Sequence, residues 1–142
     1  MRSARFSAIA ATAAVALAAG VSAAPAAPAA PSAGGGTVKT ILSEFHVVTG
    51  VNSIKAGKVM FAIANSGHLT HQLIVVKTNL APAKLKKADG SADESAAVGE
   101  SSDVAAGKSG MLTLTLKPGK YVLLCNLPGH FAAGQWSAFT VK

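Results

Sequence analysis

The chain carries one cysteine, Cys125, in 142 residues. A single thiol cannot close an internal disulfide, so it is buried, paired between chains or bound to a metal. Arginine is nearly as scarce: none follows Arg2 and Arg5. Base readout and bidentate phosphate binding favour arginine, so a nucleic-acid partner is not expected. No Ser-His-Asp arrangement and no phosphate-binding glycine loop occurs in the sequence. An enzyme is therefore not expected.

Long runs of bulky apolar residues are missing too. Phe6 to Val21 is apolar but dominated by alanine, which inserts poorly beside Leu or Ile, and it is short for a bilayer span. The positive stretch Met1–Arg5 precedes it and the small residues Val21-Ser22-Ala23 end it. That order is the order of a secretory signal peptide. Residues 1–23 are read as a cleaved signal, with an uncleaved anchor as the alternative. No cysteine lies near residues 20–24, so lipid modification there is excluded. Residues 24–36 carry Pro25, Pro28, Pro31 and three successive glycines. This is linker composition, and disorder is expected. Residues 37–142 form the expected single domain.

An exported, periplasmic or secreted chain meets an oxidising compartment, which makes a lone cysteine harder to explain without a metal. After removal of the signal, eleven lysines face six carboxylates, a net charge of +5. Such a surface suits an acidic protein partner, approached faster at low salt. No stable membrane insertion is expected once the signal is cut, and a monomer is expected.

What the sequence does contain is concentrated in Cys125-Asn126-Leu127-Pro128-Gly129-His130-Phe131-Ala132-Ala133-Gly134-Gln135. Cysteine, histidine and glutamine recur at five-residue steps. Three donors so spaced cannot stay in register on a straight strand. Pro128-Gly129 and Gly134 provide the bends. With His71 far upstream, the set is one thiolate, two imidazoles and a weak amide. Two His and one Cys with a long axial Met or Gln make a blue-copper centre. A soft thiolate suits Cu(I) and imidazole suits both oxidation states, so little rearrangement accompanies electron transfer.

The remainder reads as strands and turns. Ile41, Phe45 and Val47 alternate with Glu44 and His46. Val59–Ala64, His71–Val76, Met111–Leu116, Tyr121–Cys125 and Ser137–Val141 are further strand candidates, with turns at Asn65-Ser66-Gly67 and Lys117-Pro118-Gly119-Lys120. Short strands at this spacing predict an all-β sandwich or barrel. Residues 78–109 break the pattern, with Lys84, Lys86 and Lys87 ahead of Asp89, Asp93, Glu94, Glu100 and Asp103. They are expected to form one long excursion over one side of the sandwich, with a short helix near Ala83–Lys87.

Plainer readings stand beside these. Cys125 alone could be an inert core thiol, His71 an ordinary strand residue and Gln135 a polar loop residue. His68, three residues before His71, could join His71, Cys125 and His130 in a four-ligand zinc site or sit on the rim. His46 is expected to be exposed, and Phe131 and Trp136 to pack beside the site.

Residues 37–142 resemble the cupredoxins, small plastocyanin- and azurin-like copper proteins. Three segments carry the resemblance: Asn65–Leu73, Lys117–Tyr121 and Cys125–Gln135. It implies a Greek-key β-sandwich, one type-1 copper ion, His71, Cys125 and His130 as ligands, and one-electron shuttling between redox partners. It also implies an electron port at His130 through an apolar patch. Most members place Met where Gln135 stands; the stellacyanin-like members have Gln but also a disulfide, which this chain cannot make. A harder amide oxygen favours Cu(II). Copper sequestration or delivery is the alternative function.

Overall fold

The computed structural model describes residues 34–142. The signal and most of the linker expected from the sequence lie outside the described residues. Among the described residues nine strands build two mixed sheets: β1 (Gly35–Ser43), β2 (His46–Thr49), β3 (Ser53–Ile54), β4 (Gly57–Asn65), β5 (Ile74–Lys77), β6 (Ala97–Glu100), β7 (Ser109–Leu116), β8 (Gly119–Leu124) and β9 (Trp136–Val141). One sheet has the order β2-β1-β4-β7, the other β3-β9-β8-β5-β6. β1 runs parallel to β4 and β3 parallel to β9; the other pairs are antiparallel. The expected all-β sandwich is what forms. No helix among the described residues is long and apolar enough to cross a membrane.

Alternation explains the inner core. β4 turns Val59, Phe61 and Ile63 inward, and β7 contributes Leu112, Leu114 and Leu116. Tyr121, Leu123, Phe139 and Val141 meet them from the second sheet. Side chains on one face of a strand recur every second residue, so each strand supplies one row. The unbroken runs Ile74–Val76 and Val122–Leu124 have a different cause. These strands are covered on both faces, as continuous apolar runs imply. Ile74, Val76, Val122 and Leu124 form a second cluster with Leu85, Ala92 and Phe131, against which Trp136 packs. The excursion is thus a cover for the outer face of the second sheet.

Three expectations change in detail. The excursion holds strand β6 as well as one 3-10 turn, Pro82–Leu85; its polar sequence hid an edge strand paired with β5. The expected linker ends two residues early, because Gly35 and Gly36 already pair with β4. Gly35 has φ 82°, and a Cβ there would overlap the Lys58 backbone. The glycines permit a close backbone approach and are not linker punctuation. Finally, Ile41, Phe45 and Val47 do not share a face. β1 buries Val38, Thr40 and Leu42, and the chain reverses at Glu44-Phe45, leaving Ile41 and Phe45 exposed.

Asn65, at the end of β4, organises the crossing to β5. Its buried amide donates to Leu69 O at 2.7 Å and Val104 O at 2.8 Å, and its Oδ1 accepts from Gly67 N at 2.9 Å. Asn126, just past β8, ties the excursion to the end of that strand: Oδ1 accepts from Ala92 N at 2.7 Å, and Nδ2 donates to Ala92 O and to Glu94.

Leu123 is completely buried between the sheets. Leu123→Ala should cost about 3 kcal/mol of unfolding free energy in denaturant titration, through lost transfer energy plus a cavity. Asn65→Ala strands two backbone carbonyls and one N–H, and should cost roughly 2 kcal/mol. A loss below about 0.5 kcal/mol for Asn65→Ala would show that the segment before β5 holds itself.

Candidate metal centre

Two covalently distant segments form the centre. The first is the connection between β8 and β9. Cys125 N donates to Gln135 O at 3.1 Å, closing the base of the loop one step beyond the Leu124–Trp136 pair. Inside it, His130 N donates to Leu127 O at 3.0 Å and Gln135 N to His130 O at 3.1 Å. Gly129 and Gly134 have φ 81° and 104°, values that side-chain-bearing residues rarely adopt. Those two bends return Cys125, His130 and Gln135 to one place.

The second segment is the stretch before β5. His71 makes a two-way bridge with Val104, N to O at 3.1 Å and O to N at 2.7 Å. It begins three residues ahead of the strand proper. The bridge and the Asn65 network fix its backbone.

The side chains converge. Ligand atoms of His71, Cys125 and His130 all lie within 4.8 Å of one another, and all three residues are buried. His71 Nδ1 and His130 Nδ1 are 3.2 Å apart; Cys125 Sγ is 3.4 Å from His130 Nδ1. Atoms about 2.0–2.3 Å from a common small ion, at near-tetrahedral angles, sit about 3.3–3.6 Å apart. The two separations to His130 therefore suit one shared ion. Gln72 N points at Cys125 Sγ from 3.5 Å, a donor that would steady a thiolate.

Gln135 completes the lining. Its Nε2 donates to Ser43 O at 3.1 Å and faces His71 Nδ1 at 3.0 Å. Its Oε1 is buried and has no hydrogen-bond partner among the described residues. Burying a carbonyl oxygen unsatisfied is costly, and a cation would satisfy it. His68 is exposed and outside the cluster. The structure does not bring it to the other donors, because the bond from His68 N to Glu44 holds that stretch on the surface. His46 is exposed, as expected.

Burial also sets the protonation of the donors. Desolvation, followed by the neighbouring His130, lowers the His71 pKa, which keeps the imidazole neutral and its lone pair available. Burial pushes the Cys125 thiol up, against the N–H groups of Gln72 and Leu127. A thiolate here requires a compensating cation.

Two further residues were not legible as part of the centre. Glu44, in the turn between β1 and β2, accepts from His68 N at 2.6 Å and Leu69 N at 2.7 Å. The Leu69 N–H, above all, lowers its pKa to about 2. Phe45, at φ 62°, sets its ring edge-on to His130, with centroids 5.8 Å apart. His130 keeps 8% exposure beside it. Neither Glu44 nor Phe45 is near the ligands in sequence, and no glycine marks the turn.

No curated protein matches the sequence. Among solved structures, auracyanin A, titled a blue copper protein from the green thermophilic photosynthetic bacterium Chloroflexus aurantiacus, is 21% identical, with 77% of this chain and all of the other covered at a TM-score of 0.59. Auracyanin B is 22% identical over 82% and 93% of the two chains, TM-score 0.59. A dithionite-reduced auracyanin from Roseiflexus castenholzii is 20% identical over 76% and 96%, TM-score 0.56. At these identities the likeness establishes the cupredoxin fold. Residues 51–142 match the model of the sulfocyanin (SoxE) domain. With that match across most of the chain, and the cupredoxin fold beneath it, the protein belongs to the sulfocyanin family of cupredoxins.

Proposed function

We propose that this protein is an exported type-1 copper protein that carries single electrons between redox partners. The observation that carries the reading is the buried meeting of His71 Nδ1, Cys125 Sγ and His130 Nδ1. Copper held there supplies a one-electron couple. The chain's residues do the rest. His71 and His130 present ring nitrogens, Cys125 gives up its proton on loading, and Gln135 offers its amide oxygen as a weak fourth donor. The β-sandwich fixes these groups from two sides, so little moves when the charge changes.

Access supports an electron path at His130. Its ring is nearly buried, while Phe45 and Leu69 beside the site are 39% and 47% exposed. A small apolar rim of this kind permits brief contact with a partner. The excess of lysines over carboxylates in residues 37–142 suits an acidic partner and a salt-sensitive encounter rate. The signal-like residues 1–23 support export to the periplasm or beyond. Three protein donors and a fourth in reserve leave no position for substrate, which supports a carrier in preference to an enzyme.

Cu(II) added to the metal-free protein should produce intense visible thiolate-to-copper absorption, and Cys125→Ser should abolish it. A colourless product from the unmutated protein would contradict the reading. Fast electron self-exchange is expected; slow exchange with ready loss of copper to an acceptor would indicate copper delivery instead. Gln135→Met, which replaces a hard oxygen by a softer sulfur, should raise the reduction potential. An equal or lower potential would remove Gln135 from the axial position.

A further inference from the structure

His71 has two ring nitrogens, and the ligand cluster uses one. Nδ1 faces His130 and Gln135. Nε2 is buried and makes no hydrogen bond among the described residues. The group opposite it is the Glu44 carboxylate, with Oε1 at 3.5 Å. A neutral imidazole that binds metal through Nδ1 must carry its proton on Nε2. That proton then points to a carboxylate already anchored in place.

The anchoring is specific. The same Oε1 accepts the N–H groups of His68 and Leu69, in the loop that leads to His71. Gly67 makes room for it: a Cβ there would meet Glu44 Oε1 at 2.5 Å and Oε2 at 2.6 Å. Side-chain exposure of Glu44 is 31%, against 0% for His71, so the carboxylate bridges solvent and the buried ring. Glu44 also precedes residues 51–142, the stretch matched by the family model.

We propose that Glu44 is the positioning residue of the copper centre. It fixes the tautomer and tilt of His71 through Nε2–H, joins that ring to the His68–Leu69 backbone, and biases the centre toward Cu(II). The proposal rests on the copper reading above. A carboxylate that accepts from a metal-bound imidazole raises the donor strength of the ring, and such outer partners typically carry 10–100-fold of metal affinity. The nearby negative charge acts in the same direction, since it favours the more highly charged ion. Partial exposure screens the charge, so the low end of that range applies.

The test compares the copper-loaded unmutated protein with Glu44→Gln. Glutamine keeps the length and an acceptor oxygen for the His68 and Leu69 N–H groups but removes the charge. Cu(II) affinity should fall roughly tenfold more than Cu(I) affinity, an upward shift of about 59 mV for one electron. In proton NMR of the Cu(I) form, the His71 Nε2–H should be slow to exchange and strongly downfield, and should move upfield in Glu44→Gln. If that variant does not fold, Gly67→Ala carries the test, because it displaces the carboxylate and keeps its charge; the potential should again rise. An unchanged potential with an unchanged Nε2–H resonance overturns the role of Glu44 and leaves the copper reading standing. Absence of a thiolate-to-copper band in the unmutated protein overturns both.

Discussion

Three polar atoms brought together in a nearly buried place are the constraint on which this structure turns. His130 Nδ1 lies within hydrogen-bond range of both His71 Nδ1 and Cys125 Sγ, and among the described residues Gln135 Oε1 is buried without a hydrogen-bond partner while His71 Nε2 has only the Glu44 carboxylate, at 3.5 Å. An interior arranged for stability alone would pair these groups or replace them with apolar ones. The β-sandwich tolerates them because its stability comes from elsewhere. The inner core and the second cluster under the excursion bury rows of Val, Leu, Ile and Phe, and the donor groups occupy one end of that frame.

The frame also decides how rigid the donors are. Cys125 is one residue beyond β8 and Gln135 one residue before β9, so the pairing of those strands fixes both. His130 is held by bonds within its own loop. His71 depends on the bridge to Val104 and, through Asn65, on the end of β4. Each donor is therefore tied to backbone hydrogen bonds and not to side-chain packing alone. Rigid placement of this kind limits the rearrangement that a change of charge on a bound ion would demand.

Much of this was legible in the chain. Cys125, His130 and Gln135 lie within one short loop, and Gly129 and Gly134 announce its bends, so local spacing was enough. His71 is 59 residues from His130, and it was selected over His68, three residues away, because it opens an apolar strand directly after the Asn65-Ser66-Gly67 turn. The sandwich followed from short strand-like runs separated by turns. What failed to show was whatever depends on contacts distant in sequence. Gly35 and Gly36 look like linker until β4 lies against them. β6, Ala97-Val98-Gly99-Glu100, is a short exposed edge strand set among small and polar residues, and it looks like loop. Glu44 and Phe45 seemed to continue an alternating strand, because a reversal at φ 62° without glycine leaves no compositional mark. Their relation to His71 and His130 exists only after folding.

The central claim is that one sulfur and two imidazole nitrogens share a single copper ion. X-ray absorption at the copper edge, on protein loaded with one equivalent of Cu(II), reads that donor set directly. One short copper–sulfur path and two imidazole nitrogen paths, with the sulfur path lost in Cys125→Ser, are the predicted result. A first shell of nitrogen and oxygen alone in the unmutated protein would contradict the account.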